Sequence, residues 1–315
     1  MDFSKYCSPF LNASRPWPPL PITKNMAFLW WQSWLNENSK SCQFEELREI
    51  FPQLWITPKQ GASNSEKYKR LVLLGQSPSL YDREDSLKLN DQNGVCVSLV
   101  EHPCGNYPVI DINDESDFRN ILRCLAYRCE QISIQKSVHA QAISGLIHWG
   151  LIKNIDRSER ANLIILHNAP YSSLSETIIP GNPTYHEWLG LSRQWRLEHE
   201  LTHLATKFLI NEMRINLFDE LIADCLGMLN AINIFSADIF LKGLGIKSNG
   251  QLNENARAKT YIEELDDNHK SIVLKHIINR AKELEQLIFF KRIQIDKISL
   301  LKFLIRQQLD QPLVL

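Results

Sequence analysis

The sequence has no excess of charge, no paired-cysteine motif and no long apolar run, and each lack removes a class of function. Lys plus Arg number 35 against 36 Asp plus Glu, so no global field advertises a nucleic-acid or membrane partner. Seven cysteines (Cys7, Cys42, Cys96, Cys104, Cys124, Cys129, Cys225) are scattered and odd in number. None forms a CxxC pair, which argues against a zinc ribbon and against a thioredoxin-type redox pair. No stretch approaches the roughly 18 apolar residues that would cross a bilayer. The opening MDFSKYCSPF lacks the basic and apolar regions of a signal peptide. The expectation is a cytoplasmic chain with reduced thiols. It shows no internal repeat and no low-complexity tract. Its 315 residues, 44% hydrophobic and 23% charged, are ample for one large domain or two modest ones.

The order of elements is read from periodicity and breakers. Five prolines between residues 7 and 23 predict an extended arm, because proline lacks the amide that helices and inner strands use. Helices are expected over Met26–Leu35 and Phe44–Phe51, with the Trp30–Trp31 pair as packing. Gly61–Asn90 reads as loop around a short apolar element, Leu71–Leu74. Val95–Val100 and Val109–Ile112 are β-branched and flanked by turn formers, so they read as strands. Helices follow over Ser116–Glu130 and Val138–Ile152, then a strand over Leu163–Leu166. After Pro183 the chain is helical near 185–210, 216–232, 254–289 and 296–309. Strands first and helices last is an α+β layout. The expected division is an accessory region, 1–89, and a domain, 90–315, whose helices over 183–233 carry the chemistry.

That chemistry is written between Arg196 and Met228. His199-Glu200-Leu201-Thr202-His203 is an HExxH pattern. Residues four apart on a helix share a face, so both imidazoles can reach one ion. Glu200, about a hundred degrees round the helix, borders that face as a base rather than a ligand. Leu197, Leu201, Leu204 and Phe208 supply an apolar stripe for such a helix. Trp188, Leu191, Trp195, His199 and His203 form a second line, expected to face a cleft. HExxH alone arises by chance in roughly one or two chains in a hundred of this length, so a second element is required. Asp219-Glu220-Leu221-Ile222-Ala223-Asp224 provides one, sixteen residues after His203. A hydrolytic zinc site takes three protein ligands, often two His and one Glu, and leaves one position open. Glu220 is placed to be the third ligand, with Asp219 as the alternative. Asp224, one turn later, is placed to accept the free ring N–H of His199 and fix its tautomer.

HELTH followed by DELIAD resembles the gluzincin class of zinc metallopeptidases. The same wording, RLEHELTH and then MRINLFDELIAD, also resembles an uncharacterised bacterial protein family with HExTH and DEL[IV]AD signatures. The resemblance covers about residues 160–230. It implies a zincin-like α+β fold, a small sheet with covering helices followed by an active-site helix and a helical C-terminal lobe. It further implies one Zn²⁺ per chain on His199, His203 and Glu220, Glu200 as the base, Asp224 on His199, and a peptide or protein as substrate. Leu163–Leu166 with His167–Tyr171 is the expected edge strand for an extended peptide, to be weighed against a buried strand leading into a loop. Tyr171, His186, Arg196, Arg214, Tyr261, His269 and His276 are candidates to stabilise an oxyanion. His269 and His276 are more simply solvated or core side chains, Cys225 is more simply packing, and His102, His139 and His148 fit no usable spacing. The rival readings are a non-catalytic metal-binding regulatory or interaction protein with a vestigial site, and hydrolysis of a non-peptide amide or ester.

Overall fold

The computed structural model describes residues 3–38, 43–155, 161–291 and 296–313. The chain is α+β, and its contacts divide it into two compact units. One holds Met1–Pro21, Pro103–Gly105 and Ala169–Leu315; the other holds Ile22–His102 and Asn106–Asn168. Helix α1 (Phe3–Cys7) opens the first unit.

The second unit begins with α2 (Met26–Glu37), capped by the Asn25 side chain, and α3 (Gln43–Ile50). The stretch expected as loop is largely helical. Ser65 caps α4 (Glu66–Tyr68), which continues as a π-helical turn over Lys69–Leu73, and Ser79 with Asp82 makes a capping box for α5 (Leu80–Glu84). These short caps hold turns that no long hydrophobic period announces. A hairpin of β1 (Val95–His102) and β2 (Gly105–Ile112) follows, then α6 (Glu115–Ala126). The predicted helix over Val138–Ile152 is instead β3 (Ala140–Leu146) and a short α7 (Trp149–Asn154). Gly145, at φ +74°, sits at the bulge between Ser144 and Leu146, a backbone setting that breaks a helix and suits an irregular strand.

β4 (Ala161–His167) completes a sheet of order β1-β2-β4-β3, with Val109 opposite Ile164 in parallel and Ala140 opposite Leu166 in antiparallel register. β4 therefore has a neighbour on each side. The edge strand expected at Leu163–Leu166 is an inner strand, and strand addition to it is excluded because both of its hydrogen-bonding edges are taken. Leu163, Ile164, Ile165 and Leu166 are all buried, as a strand covered on both faces requires.

The expected boundary at residue 89 does not coincide with these units. Val95 and Val97 of β1 share a core with Trp31, Trp34, Phe44 and Leu47, and the Val97 amide donates to Gln43 Oε1 at 2.6 Å. The hairpin and the N-terminal helices thus bury one another's apolar faces. Trp31 is core, as expected of the tryptophan pair.

The first unit is helical. Its helices after residue 184 include α8 (Tyr185–Ile210), α9 (Leu217–Ile232), α10 (Ala237–Leu244), α11 (Ala258–Ile262), α12 (Asp267–Lys291) and α13 (Lys297–Leu304). α8 has the bounds its periodicity predicts. α10, absent from the sequence reading, is capped by Ser236 and buries Ile239, Phe240, Leu241 and Leu244. The predicted 254–289 helix is broken between α11 and α12. Among the described residues no single helix is long and apolar enough to cross a membrane. No disulfide joins Cys7, Cys96, Cys104, Cys124, Cys129 and Cys225; Cys42 lies outside the described residues.

Candidate metal centre

Helices α8 and α9 pack against each other and carry His199, Glu200, His203, Asp219, Glu220 and Asp224. α8 starts in a capping box made by Thr184 and Glu187 and ends at Asn211 in the left-handed region. Its buried surface is wider than one stripe. Leu201 and Leu204 are buried as expected and Phe208 is exposed, while Trp188 and Trp195, expected to line a cleft, are fully buried. α9 starts at Asn216, whose Oδ1 accepts from the Asp219 amide at 2.9 Å, while Tyr6 Oη accepts from the Leu217 amide at 3.0 Å. The two helices come very close at Gly227, where an added Cβ would lie 2.4 Å from Trp195 Cδ1 and 2.9 Å from a backbone oxygen of α8. Only glycine permits that approach.

This close packing brings three side chains to one point. Donor atoms of His199, His203 and Glu220 all lie within 4.8 Å of one another. The two Nε2 atoms are 3.1 Å apart, Glu220 Oε1 is 3.4 Å from His203 Nε2, and Glu220 Oε2 is 3.6 Å from His199 Nε2. A tetrahedral ion with bonds of about 2.0–2.1 Å needs donor separations of about 3.3–3.4 Å, so the spacing suits a small divalent cation. Asp219, the alternative third ligand, falls outside this group, as do Asp224 and Glu200. Glu200 is half-buried beside His199 on α8.

The carboxylates on the far side of each ring decide what the near side offers. His199 Nδ1 lies 2.9 Å from Asp224 Oδ1, and His203 Nδ1 lies 3.1 Å from Asp219 Oδ2. A carboxylate only accepts, so each Nδ1 carries the proton and, in the neutral ring, each Nε2 turns a lone pair inward. Asp224 Oδ1 also receives Trp195 Nε1–H at 3.1 Å and the Tyr171 hydroxyl. Asp219 is therefore the counterpart of Asp224 on the other imidazole.

Charge leads to the same conclusion. Asp219, Glu220 and Asp224 are buried, and among the described residues one guanidinium, Arg257, is set against this group, with Nη2 2.7 Å from Glu220 Oε2. With both imidazoles neutral, as metal ligands are, three buried negative charges against one positive leave an excess of two, which a dication would cancel. Burial by itself would raise the Glu220 pKa, yet the His199 and His203 imidazoles and Arg257 hold it well below the usual carboxylate range. Burial would likewise depress His203, but Asp219 and Glu220 push it well above the ordinary histidine value. The pocket attracts positive charge.

The remaining candidates separate by position. Tyr171 is stacked on Trp195 at 4.3 Å and its hydroxyl lies 3.0 Å from His199 Nδ1. It thus belongs to the orienting side of that ring, away from the converging Nε2 atoms, and is withdrawn as an oxyanion donor. Arg196 holds the carbonyls of Ala169 and Pro170, and Arg214 holds Glu212 and the carbonyls of Ser8 and Pro9. His269 pairs with Asp266 and stacks on Phe3. His186 is exposed in the first turn of α8, His276 lies on α12, and neither joins the cluster. Tyr261 alone of the seven stands on the Glu220 side, its hydroxyl 3.4 Å from Arg257 Nη2. Cys225 is buried in α9, where desolvation pushes its thiol up. Arg257 itself was not foreseen. It lies thirty-seven positions beyond Glu220, outside any local spacing, and nothing in its sequence surroundings marks it.

No curated protein and no solved structure matches the chain. A family model does, over residues 12–162 and 155–310, and the chain belongs to that family, the family of unknown function DUF7005.

Proposed function

We propose that the protein is a zinc-dependent hydrolase, with peptides as the first substrate class, built on a zincin-like pair of helices. The observation that supports this reading is the convergence of two Nε2 lone pairs and the Glu220 carboxylate, with a buried carboxylate behind each imidazole. His199, His203 and Glu220 would hold the ion, and Asp224 and Asp219 would fix the two tautomers. When bound there, zinc supplies Lewis acidity that lowers the pKa of water and polarises a carbonyl. A Glu200 carboxylate oxygen takes the proton of the attacking water and delivers it to the leaving amine. A structural zinc site is closed by four protein ligands, whereas a hydrolytic one has three and an open position. Among the described residues no fourth His, Cys, Asp or Glu joins the group, which favours an enzyme over a structural or vestigial module.

The test is metal content of the purified chain, prepared without chelators, together with cleavage of a mixed peptide library. About one zinc per chain and metal-dependent cleavage are expected. A chain free of transition metal removes the reading. A loaded chain that cleaves amide or ester probes but no peptide keeps the site and changes the substrate class.

A further inference from the structure

Among the described residues Arg257 is the one arginine or lysine set directly against the proposed ligand carboxylate, and its surroundings show that it is built in rather than incidental. Nη2 donates to Glu220 Oε2 at 2.7 Å, and Tyr261 Oη lies 3.4 Å from the same nitrogen. Nη1 donates to Ser172 Oγ, and the guanidinium carbon lies 6.0 Å from the centre of the Tyr171 ring. Contacts from the 171–173 turn, from α9 and from α11 thus fix one planar group, which arginine's rigid fork permits and a lysine ammonium does not. The two Glu220 oxygens are consequently inequivalent. Oε2 accepts a charge-assisted hydrogen bond from Arg257 and lies 3.6 Å from His199 Nε2, while Oε1 lies 3.4 Å from His203 Nε2.

Resting on the metal reading above, we propose that Arg257 is a positioning residue that keeps Glu220 a one-oxygen ligand and so keeps a position of the ion open. A carboxylate with both oxygens unengaged can chelate an ion with the pair, which raises affinity and takes up the place that a substrate or water needs. Arg257 opposes this in two ways. It engages Oε2 directly, and it adds a positive charge beside the ion, which lowers the site's hold on it. Arg257 therefore trades metal affinity for openness. Removing the guanidinium is expected to tighten metal binding, the reverse of what loss of a supporting contact does.

The experiment compares wild type, Arg257→Gln and Arg257→Lys, each checked for fold by circular dichroism. Zinc affinity is measured by competition with a chromophoric chelator, and coordination by the visible absorption of the cobalt(II)-substituted protein. Arg257→Gln should bind zinc at least about tenfold more tightly, the fold-change expected for one charge-assisted hydrogen bond. Its cobalt bands should weaken several-fold as the coordination number rises. Arg257→Lys, which keeps the charge and loses the fork, should fall between the two in affinity. Unchanged or weaker zinc binding in a folded Arg257→Gln overturns the inference, as does failure of both variants to fold, which would make Arg257 structural. The metal reading fails separately, and first, if wild type itself takes up neither zinc nor cobalt.

Discussion

His199 and His148 are both buried, at 6% and 1% exposure, yet their settings have nothing else in common. His199, with His203, stands among Asp219, Glu220 and Asp224, where buried acids hold each Nδ1 proton and leave the Nε2 atoms facing one another. His148, in the sheet-bearing unit, caps α7 by accepting the Leu151 amide at 3.1 Å. Its ring is surrounded by Phe51, Trp30 and Trp31, with centroids 4.6, 4.9 and 5.2 Å away, and its buried Nε2 has no hydrogen-bond partner among the described residues. Desolvation pushes His148 down to about 3, while acidic neighbours override desolvation at His203 and raise it. Burial alone thus does not mark a histidine that could hold a metal. The neighbours decide whether a cation is expelled or drawn in.

The sharpest way to break this comparison is to remove a donor. His203→Ala leaves two ligands and should lose the metal essentially completely, and Glu220→Ala should do nearly the same, both read by elemental analysis of folded protein. His148→Asn should leave metal content at wild-type level. If His203→Ala keeps its metal while folded, the α8–α9 cluster is no more a metal site than the aromatic cage around His148.

The next effect separates holding from reacting. Glu200→Gln keeps size and polarity but cannot take a proton at neutral pH. Turnover should fall by at least about a hundredfold, the usual contribution of general base catalysis, with metal content unchanged. Metal loss in this variant would make Glu200 a ligand, and full activity would exclude it as the base.

Smaller again are the two orienting carboxylates. Asp224→Asn and Asp219→Asn should each weaken metal affinity or activity about ten- to a hundredfold. The two should resemble each other because each Asp serves one imidazole in the same way. A metal-free Asp219→Ala beside a loaded Glu220→Ala would reassign the third ligand and undo that symmetry.

The α+β class and the grouping of His199, His203 and Glu220 were legible in the sequence, while several shorter elements were not. His199, His203, Glu220 and Asp224 lie on two uninterrupted helices, where a spacing of four residues fixes a common face, so periodicity reaches the side chains directly. Asp219 was noticed as a rival ligand, but its true partner, His203 Nδ1, depends on the packing of α9 on α8. Arg257 could not be found, because a contact made across loops leaves no period. The strand β3 was misread because Ala140, Gln141 and Ala142 favour a helix over a strand, and Gly145 was not read as a break. Only its pairing with β4 settles it.

The last prediction returns to His148 and concerns stability rather than activity. Its folded pKa, about 3, lies below the ordinary value of about 6.5. Between those values the unfolded chain binds a proton there that the folded chain refuses. Its contribution is therefore fully present above about pH 6.5 and is lost as pH falls toward 3, by up to about 1.4 kcal/mol per pH unit. His148→Asn retains a capping acceptor for the Leu151 amide and removes the titrating ring. At pH 7 the variant should be the less stable, because an aromatic cage has been left part-empty. On acidification the gap should close and then reverse, since wild type alone carries the proton penalty. Urea unfolding of both chains from pH 7 to pH 4 measures it. Parallel stability curves across that range would mean that the ring is protonated without cost, and that the aromatic cage does not exclude charge.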